Sequence, residues 1–308
     1  EEDDLNYHEK FNSNYKIFSL NIPKDLNFSG EPVPILNFDV REKLDRELLV
    51  NTYWQSQTML FLKRSNRWFS IIEPILKENG IPEDFKYLAL IESGFTNVIS
   101  PSGATGFWQI MKTTGEEFGL EINNEIDERY HVEKSTRFAC KYLKESYEKF
   151  GNWTLAAASY NMGITGIEKQ MKKQKSSSYY NLLLNEETAR YLFRIIAVKE
   201  ILTHPENYGF FIRKKDQYPA IETFSVAVDS SITNLADFAL ANGISYKTLK
   251  IFNPWLRQNY LNNTQGKKYY IEIPKDTSIV GSVKKELIPD IISDKDSLFI
   301  PQDSLNNE

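Results

Sequence analysis

The hydrophobic period of this chain changes once, near residue 210, and that change limits the folds open to it. Before it, apolar residues recur at helical spacing: Val40, Leu44 and Leu48 fall at i, i+4 and i+8, and Phe85 and Leu88 at i and i+3, with Glu92 on the same stripe at i+7. Beyond the breaks at Tyr208-Gly209 and Pro219, the run Glu222-Thr223-Phe224-Ser225-Val226-Ala227-Val228 alternates as a strand does. The order predicts a mainly α domain over 39–210 and a small α+β domain over 220–275. A polar, proline-bearing arm (1–38) precedes them, expected to extend along the helical domain, and an irregular tail (276–308) follows.

Punctuation residues set the expected elements. Asp39 caps a helix running through Tyr53 to about Met59, and a second spans about Asn66 to Lys77, with Pro74 predicting a kink or break. A third begins with Pro82 in its first turn and stops at Gly94. Further helices are expected over Ser135–Phe150, Leu155–Tyr160 and Glu186–Leu202, and nothing before 205 requires more sheet than a small hairpin after Glu92. In the second domain, helices over Leu235–Ala241 and Tyr246–Phe252 lie between the first strand and a closing strand over Lys268–Pro274.

Composition removes several classes of function. A net charge of -5 without a long basic run argues against a nucleic-acid partner, and Lys172-Lys173-Gln174-Lys175 reads as a solvated loop. No stretch approaches the roughly 20 apolar residues of a membrane span. The acidic opening Glu1-Glu2-Asp3-Asp4 reads as mature or trimmed sequence whose targeting segment is not shown. The single Cys140 falls on a core-facing helical stripe, and His8, His131 and His204 lack ligand-like spacing, so neither a metal nor an organic cofactor is indicated.

Glu92 carries the chemical signal. It shares the apolar stripe of its helix and sits at the C-terminal end, just before Gly94. Burial and the negative end of the helix dipole both disfavour a carboxylate, so both raise its pKa toward the range of a general acid working near neutrality. Taken alone, a helix-end glutamate that simply reaches solvent is the stronger reading, since charged groups are mostly exposed.

The residues around it favour the first reading. Glu92-Ser93, Ser100, Gly103-Ala104, Gly106-Phe107-Trp108-Gln109, then Ala157-Ala158-Ser159-Tyr160-Asn161-Met162-Gly163 and Glu187-Thr188-Ala189-Arg190-Tyr191 follow in order. Over about 80–200 this series resembles the soluble lytic transglycosylases, and most closely their membrane-bound type D branch. That branch also shows a stretch like Tyr87-Leu88-Ala89-Leu90-Ile91-Glu92-Ser93 and an Asp127-Glu128-Arg129 ahead of Ser135-Thr136. Tyr130 and His131 depart from it, standing where the branch tends to have Arg and Asp, at positions that look structural. The β–α–α–β unit, with Asn253-Pro254 and Ile273-Pro274, resembles a LysM module, a binder of N-acetylglucosamine-containing polymers. It lacks the usual Tyr-x-Val opening.

The resemblance implies a lysozyme-like helical domain acting on peptidoglycan without a cofactor. Glu92 would be the single catalytic acid, then base, cleaving the MurNAc-β-1,4-GlcNAc bond to leave 1,6-anhydroMurNAc ends. It further implies that Ser100 and Gln109 hydrogen-bond the sugar or its acetamido groups and that Met111 lines the cleft. Tyr160 and Asn161 would lie across the groove, Tyr160 touching Glu92 or the acetamido group, and Tyr191 would donate to the Glu92 carboxyl. Gly103 and Gly106 supply either a close approach for the glycan or ordinary turns. Phe107 and Trp108 admit a structural reading, and Glu187 that of a cap or ion-pair partner. An exported, periplasmic or envelope location follows from the same resemblance, which also admits an outer-membrane lipid anchor outside this chain. Two rivals stay open. A goose-type muramidase would need a second carboxylate such as Asp84, Glu116 or Glu117. A non-catalytic peptidoglycan-binding protein would have a decayed cleft.

Overall fold

The computed structural model describes residues 17–280. The first part of the expected arm (1–16) and most of the expected tail (281–308) lie outside the described residues. The arm enters with a two-residue hairpin, β1 (Asn27–Phe28) and β2 (Glu31–Pro32), which buries Leu26, Phe28, Val33 and Ile35 in the core of the helical domain. Polar groups anchor it as well. The Glu31 carboxylate accepts from the backbone N–H groups of Trp153 and Thr154, and Asp84 accepts from Ser29 N and from Lys199 Nζ, each at 2.6 Å.

Two long helices follow, α1 (Phe38–Tyr53) and α2 (Gln55–Glu78), joined at Trp54. The expected boundaries shift here. Asn37, not Asp39, precedes α1, and Asp39 sits in the first turn paired with Lys43 at 3.2 Å. The chain breaks at Trp54, where ψ swings to 59°, rather than between Met59 and Asn66. Pro74 lies inside α2 without ending it. The carbonyl it cannot serve belongs to Ser70, on the solvent-exposed side, while Ile72, Ile75 and Leu76 hold the helix to the core.

The helix α3 (Phe85–Ser93) packs on α2, and a loop leads to the short α4 (Lys112–Glu117). Then come α5 (Val132–Phe150), stopped by left-handed Gly151, and α6 (Trp153–Met162), capped by Asn152. Next are α7 (Ile164–Gln174) and α8 (Glu186–Thr203), the latter packed on α1, α3 and α6. The lysines expected in a loop therefore close α7, with Lys175 in the left-handed region as its C-cap.

Beyond residue 210 the chain forms β3 (Thr223–Val228), α9 (Leu235–Ala241), α10 (Tyr246–Phe252) and β4 (Tyr269–Pro274). The strands pair antiparallel from Thr223↔Pro274 to Val228↔Tyr269. Their inner face packs Val228, Tyr269 and Ile271 on Leu235, Ala239 and Leu249. This second core also takes in Ile126 and Tyr130 from the helical domain, so the two units meet through an apolar contact. The fold class is mainly α with a small β–α–α–β unit, as the change of period predicts. No helix among the described residues is long and apolar enough to cross a membrane.

Candidate active site

Glu92 lies in the last turn of α3, whose Leu88, Ala89 and Leu90 are fully buried and fix the helix. Gly94 ends it with φ 58°, returning its N–H to Leu90 O at 2.8 Å, and Arg64 Nη1 donates to Gly94 O at 2.9 Å. The helix end is thus held from α2, and the partly buried Glu92 side chain is presented at one place.

Burial raises the Glu92 carboxyl from its ordinary range to about 7. Two groups oppose burial. The Tyr191 hydroxyl, from α8, donates to Glu92 Oε1, and the positive Arg194 one turn on favours the anion. Glu187 adds repulsion and pushes the pKa up. Buried Tyr191 and partly buried Tyr160 both have pKa values well above the usual phenol range, because desolvation and the neighbouring Glu92 disfavour a phenolate. Each therefore remains a hydrogen-bond donor across the physiological range.

The loop from Phe95 to Met111 follows α3 as a small three-part hairpin, with bridges Ile99↔Thr105 and Thr105↔Ile110. Ser93 Oγ donates to Phe107 O at 2.9 Å and Tyr160 Oη donates to Trp108 O at 2.8 Å. Those two bonds tie the loop to α3 and α6. The expected Tyr160–Glu92 contact is accordingly electrostatic rather than a hydrogen bond, since the hydroxyl proton goes to Trp108. Trp108 is fully buried, its Nε1 donating to Thr136 Oγ1 at 2.9 Å, and Phe107 packs edge-on to Trp68. Both are structural.

Ser100 holds the turn, accepting from Ala104 N at 3.0 Å, which leaves its own proton to give. Gln109 has a left-handed φ of 46° and spends its amide N–H groups on Gly106 O at 2.8 Å and Val98 O at 3.2 Å, which leaves Oε1 as its remaining polar atom. Met111, 42% exposed, precedes α4 on the open side of the loop. The glycines divide. A Cβ on Gly106 would stand 2.2 Å from Arg129 O, so its close approach is to this chain's own backbone, whereas Gly103 (φ 86°) faces open space.

Asn161 joins α6 to α8: Nδ2 donates to Glu187 Oε1 at 3.0 Å and Oδ1 accepts from Thr188 Oγ1 at 2.7 Å. Glu187 is therefore an acceptor for Asn161, while Asn185 caps α8. A cleft of about 330 Å³ lined by Glu186, Glu187, Arg190 and Arg194 opens on the same face of α8. The carboxylates considered as second acids do not join Glu92. Asp84 stands eight residues back at the other end of α3, about 12 Å along the axis. Glu116 pairs with Lys112 at 3.8 Å on exposed α4, beside exposed Glu117.

Four participants had no role assigned from the sequence. Ser93 stood in the Glu92-Ser93 motif without one, and Arg194, three residues past Tyr191, was outside the quoted motifs. Thr188 was visible only as a neighbour of Glu187. Arg129, whose Nη1 donates to Gly103 O and Ile110 O at 3.2 Å each, gave a motif but no position. Among the described residues, no group of three or more His, Cys, Asp or Glu is placed to hold a metal.

Comparison with known proteins gives the same two-part order. Residues 69–183 match the Transglycosylase SLT domain, and residues 224–277 match the Soluble lytic transglycosylase C-terminal LysM-like domain. Membrane-bound lytic murein transglycosylase D of Escherichia coli strain K12 is 28% identical over 245 residues, 78% of this chain and 52% of that protein. The chain thus spans about half the length of that relative. A putative tributyltin chloride resistance protein of Alteromonas sp. strain M-1 is 26% identical over 209 residues, 66% of this chain and 95% of that one. Among solved structures, the 70 kDa soluble lytic transglycosylase of Escherichia coli aligns with 65% of this chain and 40% of its own, at 14% identity and a TM-score of 0.41. The chain is thus similar, over 69–183, to the Transglycosylase SLT domain and, over 224–277, to the LysM-like domain of soluble lytic transglycosylases, and the proteins it resembles include a lytic murein transglycosylase.

Proposed function

We propose that this protein is a peptidoglycan lytic transglycosylase of the cell envelope, with Glu92 acting first as acid and then as base. The observation that carries the reading is a single carboxyl held near pKa 7 by burial and hydrogen-bonded by Tyr191. A group that must give a proton and then take one back works best when its pKa lies near the working pH. Protonated Glu92 gives its proton to the oxygen of the MurNAc–GlcNAc bond as that bond breaks. The resulting carboxylate then removes the proton from the C6 hydroxyl of the muramyl sugar, which attacks C1 and closes the 1,6-anhydro ring.

The remaining groups fit that sequence. Tyr191 and Arg194 stabilise the carboxylate formed after the first transfer. Gln109 offers Oε1 to an acetamido N–H, and Ser100 and Asn161 each retain a proton for the sugar or its acetamido groups. Met111 supplies an apolar lip to the cleft. Most glycosidases flank the scissile bond with two carboxylates. Here the substrate's own hydroxyl replaces the second, in keeping with the distance of Asp84 and the exposure of Glu116 and Glu117.

Mass spectrometry of purified peptidoglycan digested by wild type and by Glu92→Gln tests this. Anhydromuramyl ends from wild type alone are expected. Reducing ends would mean that water is the acceptor, and Glu187, the carboxylate that acts on Glu92, would be the first candidate for activating it. Binding without turnover by the wild type would mean a non-catalytic wall-binding protein.

A further inference from the structure

We infer that the β3–α9–α10–β4 module is a brace for the loop carrying Gln109, acting through the segment 121–131, so that its loss is read in turnover rather than in capture of the glycan. The inference about turnover rests on the transglycosylase reading; the brace itself is read separately.

The outer half of the device is the seam between the module and that segment. Ile126 and Leu256 form an antiparallel bridge, with Asp127 N donating to Trp255 O at 2.9 Å and Arg257 N donating to Glu125 O at 2.7 Å. The Glu125 carboxylate accepts from Asn262 N and Nδ2 at 2.8 and 2.9 Å, and Glu121 accepts from the Tyr269 hydroxyl at 3.1 Å and pairs with Lys267. The Arg257 guanidinium stands 4.2 Å from the centre of the Tyr130 ring, and Trp255 stacks on His131 at 5.8 Å. Ile126, Trp255 and Leu256 are at most 2% exposed. A module hung on a flexible tether would leave such a face wet. This one is docked, and it commits the α10–β4 connection to its own chain.

The inner half starts one bond away. Asp127, whose N–H hangs on Trp255, grips Arg129 through Nε at 2.9 Å and Nη2 at 2.7 Å. The third nitrogen of that guanidinium, Nη1, reaches Gly103 O and Ile110 O, the two sides of the Gln109 loop. Arg129 O lies directly under Gly106. A fork-shaped, always charged donor fixed at one end by a carboxylate is a rigid strut. Asp127 and Arg129 are thus positioning residues, and their own position is set by the module. Tyr130 and His131 are the module's footing.

Full-length Arg257→Glu loosens the seam without touching either residue of the strut, and Asn262→Ala is a milder second variant should the first fold poorly. Circular dichroism and melting confirm the fold. On soluble glycan strands, kcat is expected to fall about tenfold for Arg257→Glu, with KM within twofold, an unchanged pH profile and undiminished retention on insoluble peptidoglycan. Arg257→Lys should recover most of the rate. Hydrogen exchange of amides 100–110 should quicken in parallel, a readout that needs no activity. Unchanged kcat with lost retention would make the module a glycan reader and overturn the brace. Unchanged exchange over 100–110 in a loosened, folded variant would overturn it as well. If the wild type turns over no substrate, the transglycosylase reading fails, and hydrogen exchange alone still decides whether the module braces the loop.

Discussion

A carboxylic acid kept near pKa 7 in the folded chain but at 4.5 when unfolded binds its proton more tightly in the native state. Between those values the native state holds more protons, so its stability falls as pH rises from about 4.5 through 7. Above pH 7 the deficit amounts to about 3 kcal/mol. Glu92→Gln should therefore melt at a higher temperature than wild type at pH 8, with the gap closing below pH 4.5, while anhydromuramyl product disappears. Tyr191→Phe removes the hydrogen bond that holds the pKa down. Its kcat should drop roughly tenfold to a hundredfold, and the alkaline limb of its pH–rate profile should move upward. A downward move would mean that Tyr191 does not stabilise the anion. Glu92 was legible at this scale because helical spacing, a following Gly and an ordered motif coincide there. Where Tyr160 directs its proton was not, since that depends on the Trp108 carbonyl, 52 residues away.

At the scale of elements, legibility followed the strength of apolar periodicity. The helices α5 and α8 show it over many turns and lie close to their expected bounds. The helix α7 buries fully only Ile167, and its lysines hid it. The helix α4, Lys-Thr-Thr-Gly-Glu-Glu, has no apolar stripe at all. The break at Trp54 uses neither Gly nor Pro and left no mark in the pattern. Glycines that looked alike in sequence differ by what lies beyond them. Gly106→Ala would drive a Cβ into Arg129 O and displace the loop, with an expected loss of more than 2 kcal/mol and most activity. Gly103→Ala meets no atom within 4 Å and should lose about 1 kcal/mol from its left-handed backbone alone. Equal melting temperatures for the two variants would contradict this account.

For the whole molecule, the period change announced two units, and nothing in the polar run 121–131 announced that they dock. The signal is spread over single residues, such as Ile126 and Tyr130, that complete a core begun 100 residues later. His131 gives the seam a pH dependence. Burial, with Lys134 nearby, lowers its pKa from 6.5 to about 4. The unfolded chain then binds the extra proton between those values, so stability falls as pH drops from 6.5 toward 4, by about 2 kcal/mol at pH 5. Between pH 7 and 5 this loss offsets the gain from Glu92, so melting curves should show wild type falling behind His131→Gln, which keeps only the gain. Curves that stay parallel would mean that His131 does not set the acid response of the seam.

The hairpin at the start of the described chain has a consequence in time. Its anchors, Asp84, the N–H groups of Trp153 and Thr154, and Lys199, follow it by roughly 55 to 170 residues. During synthesis the arm emerges before any of them, with Leu26, Phe28, Val33 and Ile35 still uncovered. At about 5–20 residues per second, that apolar stretch stays open for on the order of ten seconds or more until α8 leaves the ribosome. The last of its anchors, Lys199, leaves with α8, so a nascent chain halted before α8 is expected to be the species that calls for a chaperone.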